Sequence, residues 1–168
     1  MIAYTMAPGR GDTDLLLQDV ARDLAAQGHS VCGTVQINTE RDADGPCDMD
    51  VQVLPNGPVL RISQSLGRDA KGCRLDPEAL ETAVAMVAAN LQNGSDLLIV
   101  NKFGKHEANG RGFRTVIADA IAQGVPVLVG VNALNADSFK SFAGPDAVQL
   151  SPDGPAITDW MKGVQTAP

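Results

Sequence analysis

Aromatic residues make up 4% of this 168-residue chain, and no base-stacking platform or adenine-recognising side chain can be pointed to in it. Its three cysteines stand at irregular spacing. They fit neither a disulfide framework nor a paired zinc pattern, so reduced thiols and no metal site are expected. Apolar stretches fall well short of the roughly 20 residues that span a bilayer. Met1 leads directly into a strand-like segment without a basic region or cleavage site, which together predict a cytoplasmic protein with no membrane insertion. Positive charge is scarce as well: the net charge of −7 argues against a nucleic-acid partner or an acidic membrane surface.

What is present is 44% hydrophobic residues, enough for one core, and the length fits a single α/β domain over residues 1–168. Ile2–Met6 reads as a strand, followed by the turn Ala7-Pro8-Gly9-Arg10-Gly11. A helix capped by Asp12 or Thr13 follows, with Leu15, Leu16, Val20, Leu24 and Ala25 as its apolar stripe, up to Gly28. Val31–Ile37 completes a βαβ unit. Val51–Leu54 and Val59–Ile62 flank Pro55-Asn56-Gly57-Pro58, an antiparallel hairpin whose Asn-Gly pair suits positive φ angles. Asp76-Pro77 opens a helix with a capping residue and a first-turn proline, buried through Leu80, Val84, Val87, Ala88 and Leu91. Buried strands are expected at Leu97–Val100 and Val125–Val131, with a helix through Val116, Ile117, Ala120 and Ile121 between them. A short helix at Ala136–Phe142, an edge strand at Ala147–Leu150 and a helix at Pro155–Val164 finish a three-layer α/β fold with a mainly parallel sheet.

Eight of the thirteen basic residues fall in two short windows, 61–74 and 101–114, each carrying a net +3. Both are rich in glycine and small polar residues, which suggests one shared anion site. In the second window Lys102, Lys105 and Arg114 are charge-assisted donors beside Asn101, Gly104 permits a tight turn, and the amides around Gly112 lead into a helix. Glu107 is expected to orient a cation. Arg68, Lys71 and Arg74 would form the facing wall. Cys73 among these cations reads as a structural thiol, Cys47 with Cys73 makes a poor metal site, Cys32 is packing, and His106 is an exposed loop histidine.

The strand–loop–helix at the N-terminus followed by an apolar strand with a polar end outlines a P-loop nucleotide-binding domain. Against the pattern G-x-x-x-x-G-K-[ST], Gly11-Asp12-Thr13 falls on the last three positions and Gly9 lies within the loop, with Met6 on the first glycine. Asp12 thus replaces the phosphate-pairing lysine. That reversal opposes an anion by roughly 1 kcal/mol in water and several in a partly buried site. On the later strand Asn101 stands where a metal-directing acid is expected, and Lys102 where many such enzymes carry a hydrolytic glutamate.

The run Asn101-Lys102-Phe103-Gly104-Lys105-His106-Glu107-Ala108, continuing through Gly110, Gly112, Phe113 and Arg114, carries a more specific likeness. With Cys47–Asp50 and Ser63–Asp76 it resembles an uncharacterised bacterial domain-of-unknown-function family over nearly the whole chain. Members of that family often bear names of the molybdenum ABC transporter ATP-binding-like or P-loop nucleoside-triphosphatase-like kind. The resemblance implies a P-loop-like fold and an oxyanion connection. Where P-loop nucleoside triphosphatases carry Asp-Glu, then Gly, then Glu, this chain keeps Gly104 and Glu107 but has Asn101 and Lys102.

The expectation is a non-hydrolysing P-loop-like protein that binds a small anion, either a nucleotide or an oxyanion such as molybdate, in molybdenum handling. The alternative is a nucleoside triphosphatase or phosphoryl-transfer enzyme using Glu107 as base and Thr13 with Asp12 or Asp14 as a Mg²⁺ site. A third reading is an interaction module whose basic loops dock an acidic protein partner. Homo-oligomerisation stays open.

Overall fold

A computed structural model describes residues 1–39, 48–66 and 74–165. Its centre is a seven-stranded sheet in the order β4-β3-β2-β5-β6-β1-β7. The strands are β1 (Ile2–Thr5), β2 (Val31–Thr39), β3 (Asp48–Leu54), β4 (Val59–Arg61), β5 (Leu97–Phe103), β6 (Val127–Val131) and β7 (Val148–Leu150). β2, β5, β6, β1 and β7 run parallel, and β3 and β4 add an antiparallel edge. The parallel strands are near-continuous runs of Val, Ile and Leu because both of their faces are covered. Leu97, Leu98, Ile99 and Val100 of β5 are all fully buried.

Alternation along each strand splits the core in two. Cys32, Leu98, Val100, Val127 and Val129 face α2 (Pro77–Leu91), α4 (Arg114–Ala122) and α5 (Ala136–Ala143). Val31, Val35, Leu97, Ile99 and Leu128 face α1 (Asp12–Ala26) and α6 (Gly154–Gln165). The fold is thus three-layered and mainly parallel, with the antiparallel hairpin on one edge. Each fully buried Leu or Ile contributes about 1.5–3 kcal/mol relative to exposure.

Local signals explain the helix ends, with two corrections. Asp76 accepts hydrogen bonds from the amides of Glu78 and Ala79 at 3.0 and 3.2 Å, capping α2 as its sequence suggests. In α1, however, neither Asp12 nor Thr13 is the cap. Gly11 holds that place with φ of 82°, a left-handed conformation that favours glycine. The buried stripe of α1 is also rotated: Leu17, Val20, Ala21 and Leu24 face the sheet, while Leu15 is 63% exposed. Asp14 lies one turn before Leu17 on that stripe and is buried with it. The β3–β4 hairpin forms, but neither Asn56 nor Gly57 has positive φ, and the turn contains a cis Leu54–Pro55 peptide bond. Between β5 and α4, read from sequence as loop, Lys105–Ala108 forms a single helical turn, α3.

Candidate functional site

The carboxyl ends of β1, β2, β5 and β6 meet on one edge of the sheet, where an open α/β fold places its ligands. Three adjoining clefts of about 680, 570 and 590 Å³ open there. The first lies between the ends of β2, β3 and β5 and the start of α2; the second lies under the loop after β1; the third runs beside the first turn of α1. Arg10 and Lys102 line all three, and neither side chain has an ion pair or hydrogen bond among the described residues.

The loop after β1 is closed on itself. The Thr13 hydroxyl accepts from the Ala7 amide at 2.9 Å. The Asp12 carboxylate folds back over Gly9, so closely that a Cβ at Gly9 would overlap it. Asp12 therefore lies over the loop in which Gly9 and Gly11 stand.

Behind this loop is a buried polar network. Asn101 accepts the Gln36 amide on Oδ1 at 2.8 Å and donates through Nδ2 to Asp14 Oδ1 at 2.7 Å. Asp14 Oδ2 accepts from Asn38 Nδ2 at 2.6 Å, and Asn38 Oδ1 accepts from Gln36 Nε2 at 2.8 Å. The backbone donor at Gln36 fixes the orientation of the Asn101 carboxamide, so an amide hydrogen must face Asp14. Asp14 and Asn101 are 5% and 2% exposed, and this satisfied network is what lets a carboxylate stay inside the fold.

Asp14 and Thr13, two of the groups expected of a Mg²⁺ site, are engaged in hydrogen bonds within the protein. Both Asp14 oxygens accept carboxamide hydrogens, and the Thr13 hydroxyl already serves Ala7. Asn101 aims N–H groups, not lone pairs, toward α1. Among the described residues no group of three or more His, Cys, Asp or Glu side chains could hold a metal.

The loop from β5 to α4 departs most from its sequence reading. Glu107 is 2% exposed, and its carboxylate accepts from the Gly104 amide at 2.9 Å and the Phe113 amide at 3.3 Å. Burial pushes its pKa up, while hydrogen bonds from the amides of Gly104, Glu107 and Phe113 pull the other way. Glu81 of α2 accepts both the Gly112 amide at 2.9 Å and His106 Nε2 at 2.8 Å. The amides that the sequence offered to an anion at this helix start are therefore taken by the protein's own two carboxylates. His106 is bound rather than free, its side chain 10% exposed.

Gly104 has a negative φ of −105°, so its conformation does not require glycine. Gly112 does: its φ is +60°, and a Cβ there would overlap Glu107 Oε1. Arg114 turns away from the clefts. Its guanidinium lies 4.4 Å over the Phe142 ring and donates to the Glu107 carbonyl at 3.4 Å.

Of the expected anion-binding residues, the structure brings Asn101, Lys102, Gly104, Lys105 and Arg74 to the walls of the largest cleft. Gly112 and Arg114 are not among its walls, and Arg74 faces Asp48 at 4.0 Å. Arg61, counted in the first basic window, is paired with Asp48 and Asp50. Arg68, Lys71, Cys47 and Cys73 lie outside the described residues. Cys32 is buried in β2, and burial raises its thiol pKa, as suits a packing residue. Sequence reasoning missed Arg10, although a cation between two glycines in the first strand-to-helix turn was a usable signal. Glu81 it could not have found, because that side chain arrives from a helix more than 20 residues upstream.

The family model described as "Protein of unknown function (DUF2478)" matches residues 2–160. The chain belongs to this family. This DUF2478 chain is 38% identical over 163 residues to the protein named Molybdenum import ATP-binding protein ModC 2 of Bradyrhizobium diazoefficiens. That alignment covers 96% of the chain but only 18% of the relative, so the chain spans less than a fifth of that protein's length. Among solved structures, THEP1 from the hyperthermophile Aquifex aeolicus superposes with a TM-score of 0.65 at 16% identity, covering 97% of this chain and 95% of that one. The likeness shows that the DUF2478 chain shares the fold of that structure. Among its described residues no helix is long and apolar enough to cross a membrane.

Proposed function

We propose that this chain is a P-loop-fold receptor for a small anionic ligand, a nucleotide or an oxyanion, which it holds without hydrolysing it. One observation carries the reading: Arg10 and Lys102, which lack partners among the described residues, face all three clefts at the strand ends. Two cations converging on one mouth attract and orient an anion even in a chain of net negative charge. The non-hydrolysing part rests on the same site. A carboxamide tied to Asp14 replaces the metal-directing acid, Lys102 replaces the hydrolytic glutamate, and the Glu107 carboxylate is occupied by two backbone amides. The name of the Bradyrhizobium relative makes molybdate a ligand to test, and a role in molybdenum handling belongs to this proposal.

Calorimetric titration with ATP, ADP, phosphate and molybdate tests the reading, alongside a phosphate-release assay with Mg²⁺. Binding by at least one of these, weakened about tenfold or more by Arg10→Ala and by Lys102→Ala, is the expected result. Absence of any binding, or variants that bind as the parent does, removes the proposal. Phosphate release abolished by Glu107→Gln would instead promote a hydrolase that uses the buried carboxylate as its base.

A further inference from the structure

The largest cleft, of about 680 Å³, has a character that a bare anion does not need. Beside its cations and carboxamides it has an apolar wall made by Met49, Val51, Ile62, Leu75, Leu80 and Phe113. Its volume falls within the roughly 300–1,000 Å³ typical of sites that enclose organic ligands. Two polar side chains of β2 line it as well. Thr34 is 1% exposed, and its hydroxyl has no hydrogen-bond partner among the described residues. Gln36, two residues on and so on the same face, is 6% exposed; it uses Nε2 on Asn38 but has no partner for Oε1 among the described residues. The Thr34 hydroxyl and the Gln36 carboxamide oxygen line the cleft with no partner among the described residues, and so are open to a ligand's hydrogen-bonding edge. Arg10, Asn101 and Lys102 line this cleft and also the one under the loop after β1, so the two adjoin.

We infer that the ligand is an organic phosphate ester with a planar, hydrogen-bonding body rather than a bare oxyanion. Its phosphate meets Arg10 and Lys102, and its body lies in the cleft between β2, β3 and α2, read by Thr34 and Gln36. The inference rests on the anion-binding reading above and narrows the ligand class of that site. The apolar walls reward a flat, weakly polar body; the Thr34 hydroxyl can donate or accept, and Gln36 Oε1 accepts, so the body presents a donor beside an acceptor or hydroxyl.

The test is a titration series with inorganic phosphate, molybdate, phenyl phosphate, ribose 5-phosphate and the four common nucleoside 5′-monophosphates. At least one nucleoside monophosphate should bind ten times or more tighter than ribose 5-phosphate and the inorganic anions, with phenyl phosphate between them. Thr34→Val should reduce that preference about tenfold, and Thr34→Ser, which keeps the hydroxyl, should restore most of it. Phosphate or molybdate binding as tightly as every ester would overturn this inference and leave the anion-binding reading standing. So would a preference untouched by Thr34→Val. Failure of every compound in this series would overturn this inference, and failure of ATP and ADP as well would remove both readings.

Discussion

Replacing Asn101 by aspartate probes the buried network behind the loop after β1. The substitution puts a second carboxylate where Asn101 Nδ2 now donates to Asp14 Oδ1 across 2.7 Å, in a pocket where both residues are almost fully buried. Two unit charges about 4 Å apart repel by about 4 kcal/mol at an effective dielectric constant near 20. Protonating one of them sets a similar limit. Holding a proton at pH 7 on a group whose ordinary pKa is about 3.9 takes roughly three units at 1.36 kcal/mol each, again about 4 kcal/mol. Asn101→Asp should therefore lose about 4 kcal/mol of unfolding free energy at pH 7. Near pH 4 the loss should shrink to about 1 kcal/mol, because a protonated carboxyl restores the donor that Asp14 requires. The exchange Asp14→Asn with Asn101→Asp rebuilds the chain of bonds in reverse. The new carboxylate accepts from Gln36 and from the new amide, whose oxygen accepts from Asn38, and the double variant should fall within about 1 kcal/mol of the parent. Urea denaturation at both pH values measures all of this. A single variant as stable as the parent at pH 7, or a loss of equal size at both pH values, would refute the argument.

Three further outcomes follow from the site. Gly112→Ala should cost at least 1–2 kcal/mol in urea unfolding, since a side chain there takes an unfavourable left-handed conformation and displaces the Glu107 carboxylate; an unchanged midpoint would count against the fastening of this loop. Glu107 has a raised folded-state pKa, so its stabilising contribution is fully present below the ordinary glutamate value and is lost as pH rises through its own; Glu107→Gln has no such loss. The stability of that variant relative to the parent should accordingly rise between pH 4 and pH 7, and a pH-independent difference would contradict the burial argument. Raising salt from 50 to 200 mM should weaken anion binding several-fold through screening of exposed Lys102 and Arg10, with a smaller salt dependence in Lys102→Ala, which keeps Arg10.

The fold was largely legible because its determinants are local. Apolar runs marked the buried strands, Asp76-Pro77 marked the start of α2, and Asn101 and Lys102 announced by position that a strand end had changed its chemistry. The stripe of α1 was misread because Leu15 and Leu16 drew the eye from the true repeat of Leu17, Val20, Ala21 and Leu24, on which Asp14 also falls. A carboxylate on a buried stripe was the visible trace of the network behind the loop. The cationic loop was read as an open cradle because two of its features depend on partners distant in sequence. Glu81 takes up the Gly112 amide, and Phe142 holds Arg114. Local composition counts charges but cannot tell which are already answered by another helix.

The Asp14–Asn101 contact has a consequence for how a ligand would be received. It fixes the first turn of α1 to the end of β5 through uncharged donors on one side and a carboxylate on the other. A joint made of protein alone needs no ligand to form. On the proposed reading, a mouth held this way would lose little affinity to ordering its own walls and would capture a ligand at a rate set by diffusion and steering rather than by closure.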